Sequence, residues 1–361
     1  MTPSIKKNEE ESANIWTITF LLISITLIMN LDYLIANRET MLEMVVPQSQ
    51  MQIRAQRELH QEEIQLQSME QIKKDSIFKN DLVVTVITGR GSADRRQAIR
   101  ESWGKGESDI YFIVGKHCPY PPEDRATWDG CERASNGTAS PEWREKYLQQ
   151  EMALTEQLLK EENVIMVDMI DTYKDLAHKI KLAYKWVTDH GDPKWILKID
   201  DDAITTVQTL ERHLHDKYDN IDYLYMGWIN KFSPVMMEGK WADPLYAGHK
   251  YYPPYANGCS GYVVSHKIAE YIVENSDELI EYHNEDATVG IWINEAPWSS
   301  DVVIVQEANR HWYANHDGMD HCFQNQNGIV YNRGNQYFVV GHKLSASRMK
   351  QCFNELFGAR H

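Results

Sequence analysis

The sequence predicts an α/β fold built on a mostly parallel sheet that helices cover on both faces. From Leu82 onward, apolar strand-like runs alternate with helix-like stretches, which is typical of parallel sheets. Three consecutive carboxylates, Asp200–Asp202, follow one of these apolar runs directly. Ligands in such sheets bind beyond the carboxyl ends of the strands, so we expect a functional site at these carboxylates.

The predicted elements follow one another without an internal repeat. Apolar, β-rich runs predict strands at Leu82–Thr88, Ile110–Val114, Val164–Asp168 and Trp195–Ile199. Longer stretches of helix-forming residues predict helices at Asp94–Trp103, Glu142–Lys160 and Tyr173–Thr188, with a further helix beginning near Thr206.

Composition and charge bound the class of protein. The chain has 361 residues, of which 42% are apolar and 11 are tryptophan, enough for a sizeable folded core. Its formal net charge of −16 argues against a nucleic-acid partner, because binding to phosphates needs a basic face. We therefore expect any anionic substrate to meet a local cluster of cations.

Residues 13–35 are predicted to form a single transmembrane signal-anchor. Ala13–Leu31 contains no charged residue, and its 19 residues in a helix match the roughly 30 Å hydrocarbon core of a bilayer. A cleaved signal peptide is the alternative, but its apolar region is usually shorter and Leu34–Ala36 fits a cleavage site poorly. A buried soluble helix is disfavoured because no amphipathic stripe is present.

The flanks of this segment predict its orientation. Lys6 and Lys7 lie in the tail of residues 1–12, and the positive-inside rule places that tail in the cytosol. Residues 36–79 lack glycine, cysteine, tryptophan and tyrosine and are rich in glutamine and glutamate, the composition of a helical stem. Apolar residues in this stem could pair with a second copy as a homodimer, but their spacing is not a clean heptad. Residues 80–361 are then a lumenal domain.

A lumenal location permits disulfides and glycosylation. None of the five cysteines shows the paired spacing of a metal site. Cys118 and Cys131 flank a proline-rich loop, and we predict that they are bonded, which is worth about 3 kcal/mol in the chain-entropy model. The pairing of the remaining cysteines stays open. Asn136 begins the only Asn-x-Ser/Thr sequon and is the predicted glycosylation site.

The run Asp200, Asp201 and Asp202 predicts a divalent metal site. Three adjacent carboxylates repel one another unless a cation or hydrogen-bond donors hold them. The alternative is that they end a strand and cap the helix near Thr206, although a single aspartate suffices for a cap.

Arg96 and Arg100 form a candidate anion site. They are four residues apart, on one face of the predicted helix, where like charges cost about 0.2–0.5 kcal/mol in isolation. A bound anion would offset that cost. The alternative is a solvated face on which these arginines pair with nearby acids.

Two further segments carry candidate site residues. Glu285 and Asp286 begin an apolar helix, where acids complement the helix dipole, but a positioned carboxylate there can also act as a general base. In the segment around Tyr255, Gly258 and Gly261, glycines allow close approach to a ligand and aromatic rings suit sugar faces. As an edge-strand turn this second segment would be unremarkable.

Four blocks of the sequence together resemble glycosyltransferase family 31, the inverting β-1,3-galactosyltransferases and β-1,3-N-acetylhexosaminyltransferases of the Golgi apparatus. The blocks are Arg95–Gly104 (RRQAIRESWG), Lys198–Asp202 (KIDDD), Tyr252–Ser265 (YPPYANGCSGYVVS) and Glu285–Gly290 (EDATVG). In the last block Ala287 replaces the usual valine. The resemblance extends over roughly Leu82–Cys352, and the predicted anchor and stem are consistent with it.

The resemblance implies a GT-A fold, a Rossmann-like nucleotide-sugar-binding architecture, that holds a UDP-sugar with Mn²⁺. It implies that Asp202 binds the metal, that Asp200 and Asp201 hold the ribose side of the donor and the waters of the metal, and that Asp286 is the catalytic base. His342, after the last apolar run, is the candidate second metal ligand. Other histidines nearby in sequence are alternatives to it, namely His311, His316 and His321.

The remaining candidates complete the predicted site. Arg96 and Arg100 are expected to bind the donor. The loop residues Tyr255, Gly258 and Gly261, with Glu285, are expected at the acceptor and the donor sugar.

The resulting hypothesis is a type II Golgi membrane enzyme that transfers galactose from UDP-galactose to the 3-hydroxyl of an acceptor sugar on a glycoprotein, glycolipid or proteoglycan linker. The segment Arg333–Tyr337 resembles the proteoglycan-linker branch of the family. The first alternative is transfer of N-acetylgalactosamine or N-acetylglucosamine. A metal-dependent phosphoesterase would need further ligands on successive strand ends, and a non-catalytic sugar-binding protein would not need Asp202 and Asp286.

Overall fold

The computed structural model describes residues 76–307, 312–313, 339–340 and 343–357. The predicted cytosolic tail and anchor, and most of the predicted stem, lie outside these residues. Within the described ranges, no helix is long and apolar enough to cross a membrane.

Strands and helices alternate along the first half of the domain, and each predicted element is found within a few residues of its predicted bounds. The strands are β1 Leu82–Ile87, β2 Ile110–Lys116, β3 Val164–Ile170, β4 Trp195–Asp200, β5 Ile204–Thr205, β6 Leu224–Gly227, β7 Ile229–Asn230, β8 Tyr255–Ala256, β9 Tyr262–Ser265, β10 Val303–Gln306, β11 Trp312–Tyr313 and β12 Val339–Val340. The helices are α1 Ala93–Glu101, α2 Pro141–Leu158, α3 Leu176–His190, α4 Val207–Tyr218, α5 His266–Glu274, α6 Glu285–Glu295 and α7 Ala346–Phe357.

Seven of these strands form a mixed sheet in the order β10-β6-β9-β4-β1-β2-β3. Strands β4, β1, β2 and β3 are parallel, as the sequence predicts. Strand β9 runs antiparallel to both β4 and β6, which the alternation of elements did not predict. Because Ile87 at the end of β1 pairs with Asp200 at the end of β4, the residues that follow these two strands lie side by side.

Helices cover both faces of the sheet and create two apolar cores. The first core joins one face to α1, α4 and α7, and the second joins the other face to α3, α5 and α6. Alternation along β4 sends Trp195, Leu197 and Ile199 to the first core and Ile196 to the second. The same alternation places Lys198 on the second face, where it is almost fully buried.

The loop between β2 and α2 is held by a disulfide and by a buried carboxylate. Cys118 and Cys131 are bonded, with 5.8 Å between their Cα atoms. Asp124 in this loop is buried, forms an ion pair with Arg144 and accepts a hydrogen bond of 3.1 Å from the backbone of Ala139. Asn136 lies exposed in a turn of the same loop, so its side chain is accessible to a glycosylating enzyme.

Replacing both Cys118 and Cys131 with serine should lower the free energy of unfolding by about 3 kcal/mol, because the unfolded chain gains the entropy of the opened loop. Urea unfolding of the double variant measures this loss. Cys259→Ser is the matched control, since Cys259 carries a free thiol. Equal stability of the double variant and the wild type would show that the contacts of Asp124 hold the loop without the disulfide.

Candidate active site

A cleft of about 1040 Å³ opens at the carboxyl ends of β1 and β4, where the sequence predicts the site. It is lined by the segment after β1, the turn after β4, the start of α6 and a long loop between β7 and β8. Of the predicted site residues, the structure brings the following to this cleft: Asp200, Asp201, Asp202, Tyr255, Gly258, Glu285 and Asp286.

The three consecutive aspartates have different partners. Asp201 accepts hydrogen bonds of 2.7 Å from Thr88 Oγ1 and 2.7 Å from Arg95 Nη1, so both of its oxygens are engaged. Asp202 Oδ2 lies 3.9 Å from Arg95 Nη1. Asp200 Oδ1 accepts a hydrogen bond of 2.9 Å from Lys198 Nζ, and burial raises the pKa of its carboxyl above the ordinary value. The repulsion expected from the sequence is therefore offset in part by two cations of the chain itself.

Lys198 links the turn after β4 to the start of α6. Its ammonium donates to Asp200 Oδ1, to the carbonyl of Gly258 at 3.0 Å and to Glu285 Oε2 at 3.3 Å. Glu285 also accepts a 2.7 Å hydrogen bond from the hydroxyl of Tyr262. Burial alone would lower the pKa of Lys198, but the charges of Asp200 and Glu285 outweigh it and raise the pKa above its ordinary value. The lysine therefore remains charged despite being 3% exposed.

Asp286 occupies the first turn of α6 and is half-buried in the cleft. Its carboxylate accepts hydrogen bonds from the backbone nitrogen of Gly258 at 3.2 Å and of Ala287 at 2.8 Å. Burial raises the pKa of Asp286, and these backbone donors oppose the rise. The carboxylate is thus fixed in orientation, faces the cleft and is more basic than an exposed aspartate, which suits a general base.

Two glycines permit the close packing of this site. Gly261 has φ +74°, and a Cβ there would lie 2.5 Å from the carbonyl oxygen of Lys198. A Cβ on Gly290 would lie 2.5 Å from the Cβ of Tyr255, so only glycine lets α6 approach β8 this closely. The side chain of Trp312 seals the turn by donating from Nε1 to the carbonyls of Ser260 and Gly261.

The structure gives Arg96 and Arg100 partners other than the anion expected from the sequence. Arg96 is fully buried and forms two 2.9 Å hydrogen bonds with the carboxylate of Glu161. Arg100 contacts the same carboxylate at 3.3 Å and stacks over the ring of Phe112. Neither arginine lines the cleft, whereas Arg95 does. The sequence analysis chose the pair of arginines four residues apart. Arg95, which lies about 100° round the helix from Arg96, is the arginine that faces the cleft.

Several cleft residues were not singled out from the sequence. Lys179 in α3 is buried, donates to Asp171 Oδ1 at 2.7 Å and to the carbonyl of Thr88 at 2.9 Å, and burial lowers its pKa. Tyr173, Lys240 and Trp241 also line the cleft. Nothing in the sequence distinguishes these side chains from the many other lysines and aromatics of the chain.

The donor set suits a hard divalent cation in part. Asp202 and the second oxygen of Asp200 offer carboxylate oxygens, which Mn²⁺ and Mg²⁺ accept, whereas Asp201 has both oxygens engaged. Among the residues that the structure describes, no three His, Cys, Asp or Glu side chains are grouped to hold a metal ion. His342 lies outside the described residues, so its predicted role as a ligand stays a prediction.

Comparison with known proteins matches part of the chain to one family. Residues 144–300, which include Asp200–Asp202 and Asp286, match the family model described as galactosyltransferase. This stretch of the chain is similar to the galactosyltransferase family, in agreement with the resemblance to glycosyltransferase family 31 that the four sequence blocks indicated.

Named relatives include enzymes for two different sugars. UDP-GalNAc:β-1,3-N-acetylgalactosaminyltransferase 2 of Danio rerio is 32% identical over 141 residues, which is 39% of this chain and 28% of the relative. β-1,3-galactosyltransferase 6 of Mus musculus is 27% identical over 59% of each chain, and β-1,3-galactosyltransferase 1 of Mus musculus is 25% identical over 78% of this chain and 75% of the relative. The chain thus spans less than a third of the N-acetylgalactosaminyltransferase that it matches. A solved structure of an active-site mutant of LgtC overlaps at a TM-score of 0.31 with 12% identity, covering 77% of this chain and 96% of that one, which is too low to support an inference.

Arg96→Gln should lower the free energy of unfolding by about 3 kcal/mol, because it leaves the half-buried carboxylate of Glu161 without its main partner. Arg100→Gln is the matched control. It removes a contact to the same carboxylate from a side chain that is 26% exposed, and should cost less than about 1 kcal/mol. Urea unfolding measures both. Unchanged stability of Arg96→Gln together with weaker UDP binding would support the donor-binding role over the structural one.

Proposed function

We propose that this protein is an inverting β-1,3-galactosyltransferase with a GT-A fold. It would transfer galactose from UDP-galactose to the 3-hydroxyl of an acceptor sugar on a glycoprotein, glycolipid or proteoglycan linker. One observation carries the proposal: the half-buried carboxylate of Asp286 and the aspartates after β4 face a single cleft at the strand ends. Sugar transfer from a nucleotide diphosphate needs a base for the acceptor hydroxyl and a site where carboxylates hold a cation for the departing diphosphate.

Asp286 would take the proton from the acceptor hydroxyl as that hydroxyl attacks the anomeric carbon. Its two backbone hydrogen bonds hold the carboxylate in place without neutralising it, and burial raises the pKa toward that needed for proton transfer. Attack occurs on the face opposite to the departing diphosphate, so the configuration at the anomeric carbon inverts. Because both donors to Asp286 are backbone amides, its carboxylate keeps its negative charge and is available as a base.

Binding of the donor diphosphate would depend on positive charge at the aspartates after β4. Mn²⁺, when bound, would supply a Lewis acid that neutralises the departing diphosphate. Asp202 and Asp200 would hold this ion, with His342 as the predicted further ligand. Arg95 brings a fixed positive charge to the same part of the cleft, and Asp201 positions that guanidinium through a 2.7 Å hydrogen bond. Gly258 lines the cleft and would allow the donor to lie close to the backbone, whereas Gly261 does not line it and packs against the carbonyl of Lys198.

Transfer of N-acetylgalactosamine is the second candidate. It is favoured by β-1,3-N-acetylgalactosaminyltransferases from several vertebrates, which share 32–33% identity in Danio rerio and Homo sapiens, although they align over a shorter stretch than the mouse β-1,3-galactosyltransferase 1 does. The two candidates differ only in whether the cleft admits an acetamido group at the second carbon of the donor sugar. Offering both donors to the purified enzyme decides between them.

The cellular setting proposed is the Golgi membrane, with residues 13–35 as a type II anchor, residues 36–79 as a stem that can pair with a second copy, and residues 80–361 in the lumen. Two features of the described residues support a lumenal domain. The Cys118–Cys131 disulfide suits an oxidising compartment, and the sequon asparagine, Asn136, is exposed.

Asp286→Asn should reduce the rate of transfer by about 10²–10⁴-fold, because the amide cannot accept the proton, while UDP binding stays unchanged. Asp202→Ala should instead weaken the Mn²⁺-dependent binding of UDP. Transfer is measured as acceptor-dependent release of UDP, and binding is measured by calorimetry with and without Mn²⁺. Asp168→Asn is the matched control, since Asp168 is 87% exposed on β3, away from the cleft. Full activity of Asp286→Asn would remove this residue from the mechanism.

Activity should be lost on the acid side at a higher pH than an ordinary aspartate would give. Only the ionised carboxylate of Asp286 accepts a proton, so kcat/KM falls as the pH drops through its pKa, and burial raises that pKa above the ordinary value of about 3.9. The profile is measured between pH 4 and 8 with saturating Mn²⁺. UDP binding at each pH serves as the control for loss of the metal. An acid limb at or below pH 4 would contradict the assignment.

A further inference from the structure

Three aromatic rings from three separate loops surround one lysine at the rim of the cleft. The ammonium of Lys240 lies 4.5 Å from the ring centre of Trp241, 5.2 Å from that of Tyr173 and 5.6 Å from that of Trp128. Trp128 belongs to the disulfide-closed loop, Tyr173 follows β3, and Trp241 lies in the loop between β7 and β8. We call these four side chains the aromatic rim.

The aromatic rim is tied to the helix that carries the proposed base. Asn284, the residue before α6, donates from Nδ2 to the carbonyl of Trp241 at 3.1 Å, and a ring nitrogen of His283 lies 3.3 Å from the carbonyl of Lys240. Tyr173 and Trp241 line the same cleft as Asp286, and burial, followed by the negative charge of Asp286, raises the pKa of the Tyr173 hydroxyl to about 12. An acceptor bound in this cleft with a hydroxyl at Asp286 can therefore extend to the rim.

The rings present flat apolar surface to solvent. Trp241 is 49% exposed and Trp128 is 67% exposed. Large exposed tryptophans beside a cleft are costly to leave unused, and indole faces suit the apolar faces of sugar rings. Platforms of this kind bind a sugar by stacking, with polar groups at the edge selecting which sugar.

The ammonium of Lys240 is the polar group at this edge. Within the part of the chain that the structure describes, no carboxylate is in ion-pair contact with it, although the chain carries 53 acidic residues against 37 basic ones. Two other lysines that line the cleft, Lys198 and Lys179, are both paired with carboxylates. Held only by ring faces, the charge of Lys240 is available to an incoming anion.

The geometry points to an acceptor subsite for an acidic glycan: a sugar stacks on Trp241, and Lys240 pairs with an anionic substituent, a carboxylate, sulfate or phosphate group, on that sugar or its neighbour. This inference rests on the proposed transferase function and deepens it by naming the acceptor class. Lys240 and Trp241 would act as specificity-determining residues, and no chemical step is assigned to them.

The test measures glycan binding first, so that it does not depend on transfer. Quenching of tryptophan fluorescence in the full-length protein is titrated with three pairs of galactose-containing disaccharides. Each pair differs only in its charge: a glucuronate against its carboxyl-reduced form, a sulfate ester against the free hydroxyl, and a phosphate ester against the free hydroxyl. The wild type should bind the acidic member of at least one pair about tenfold more tightly, and the preferred pair names the anion.

Matched variants assign the preference. Lys240→Gln should abolish the preference for the acidic disaccharide, and Lys240→Arg should keep it. Trp241→Ala should weaken the acidic and neutral members equally. Lys250→Gln is the control, because Lys250 lies 5.1 Å from the ring centre of Tyr251 in the same loop but does not line the cleft. It should bind all disaccharides as the wild type does.

Three results would overturn the inference. The first is equal binding of the acidic and neutral members of every pair, and the second is loss of the acidic preference in Lys250→Gln as well. The third is a higher Kd for UDP in Lys240→Gln, which would assign the ammonium to the donor diphosphate. The transferase proposal is tested separately by transfer to the tightest-bound disaccharide. A preference for the acidic disaccharide without transfer from any donor would refute the transferase function and support the acidic subsite. Transfer without that preference would support the transferase function and refute the subsite.

Discussion

The geometry of the cleft depends on the buried ammonium of Lys198. Burying an isolated charge is very costly, and this one is held by two carboxylates and a carbonyl that come from three different segments. Removing the ammonium would leave Asp200 and Glu285 facing each other in a site where burial already raises the pKa of both. The lysine therefore fixes the distance between the donor side of the cleft, after β4, and the base side, at the start of α6.

The contacts of Lys198 explain several residues of the three sequence blocks that meet at the cleft. Lys198 and Asp200 share one face of β4 because strand residues alternate, and Glu285 reaches them because it starts α6 while Asp286, one residue on, turns toward the solvent side. Gly258 supplies both a carbonyl to Lys198 and an amide to Asp286. A Cβ at that glycine would lie 2.7 Å from Glu285 Oε2, so a side chain there would displace the carboxylate that pairs with Lys198.

The sequence predicted what depends on local pattern and missed what depends on tertiary contacts. The apolar runs of β1 to β4 and the amphipathic or apolar helices between them have local signatures, and so does the run of three aspartates. Strand β9 has only four residues, inside a segment rich in glycine and aromatics, so its antiparallel place between β4 and β6 had no local signal. Arg95 and Arg96 are identical in type and adjacent, and only the packing of α1 determines that one reaches Asp201 and the other Glu161.

Four cations of the cleft differ in how much of their charge a ligand can use, because their surroundings differ. Lys198 and Lys179 are buried and neutralised by carboxylates, so they organise the protein and contribute little net charge to a ligand. Arg95 is 35% exposed and shared between two aspartates, and its charge extends toward the donor side. Lys240 is held by aromatic faces, which attract an ammonium without cancelling its charge. In a chain of net charge −16, Arg95 and Lys240 therefore contribute positive potential to substrates on two sides of the cleft, in addition to any bound metal ion. A neutral acceptor would gain nothing from such a rim, whereas an acidic one would be drawn to the side of the cleft where Asp286 lies.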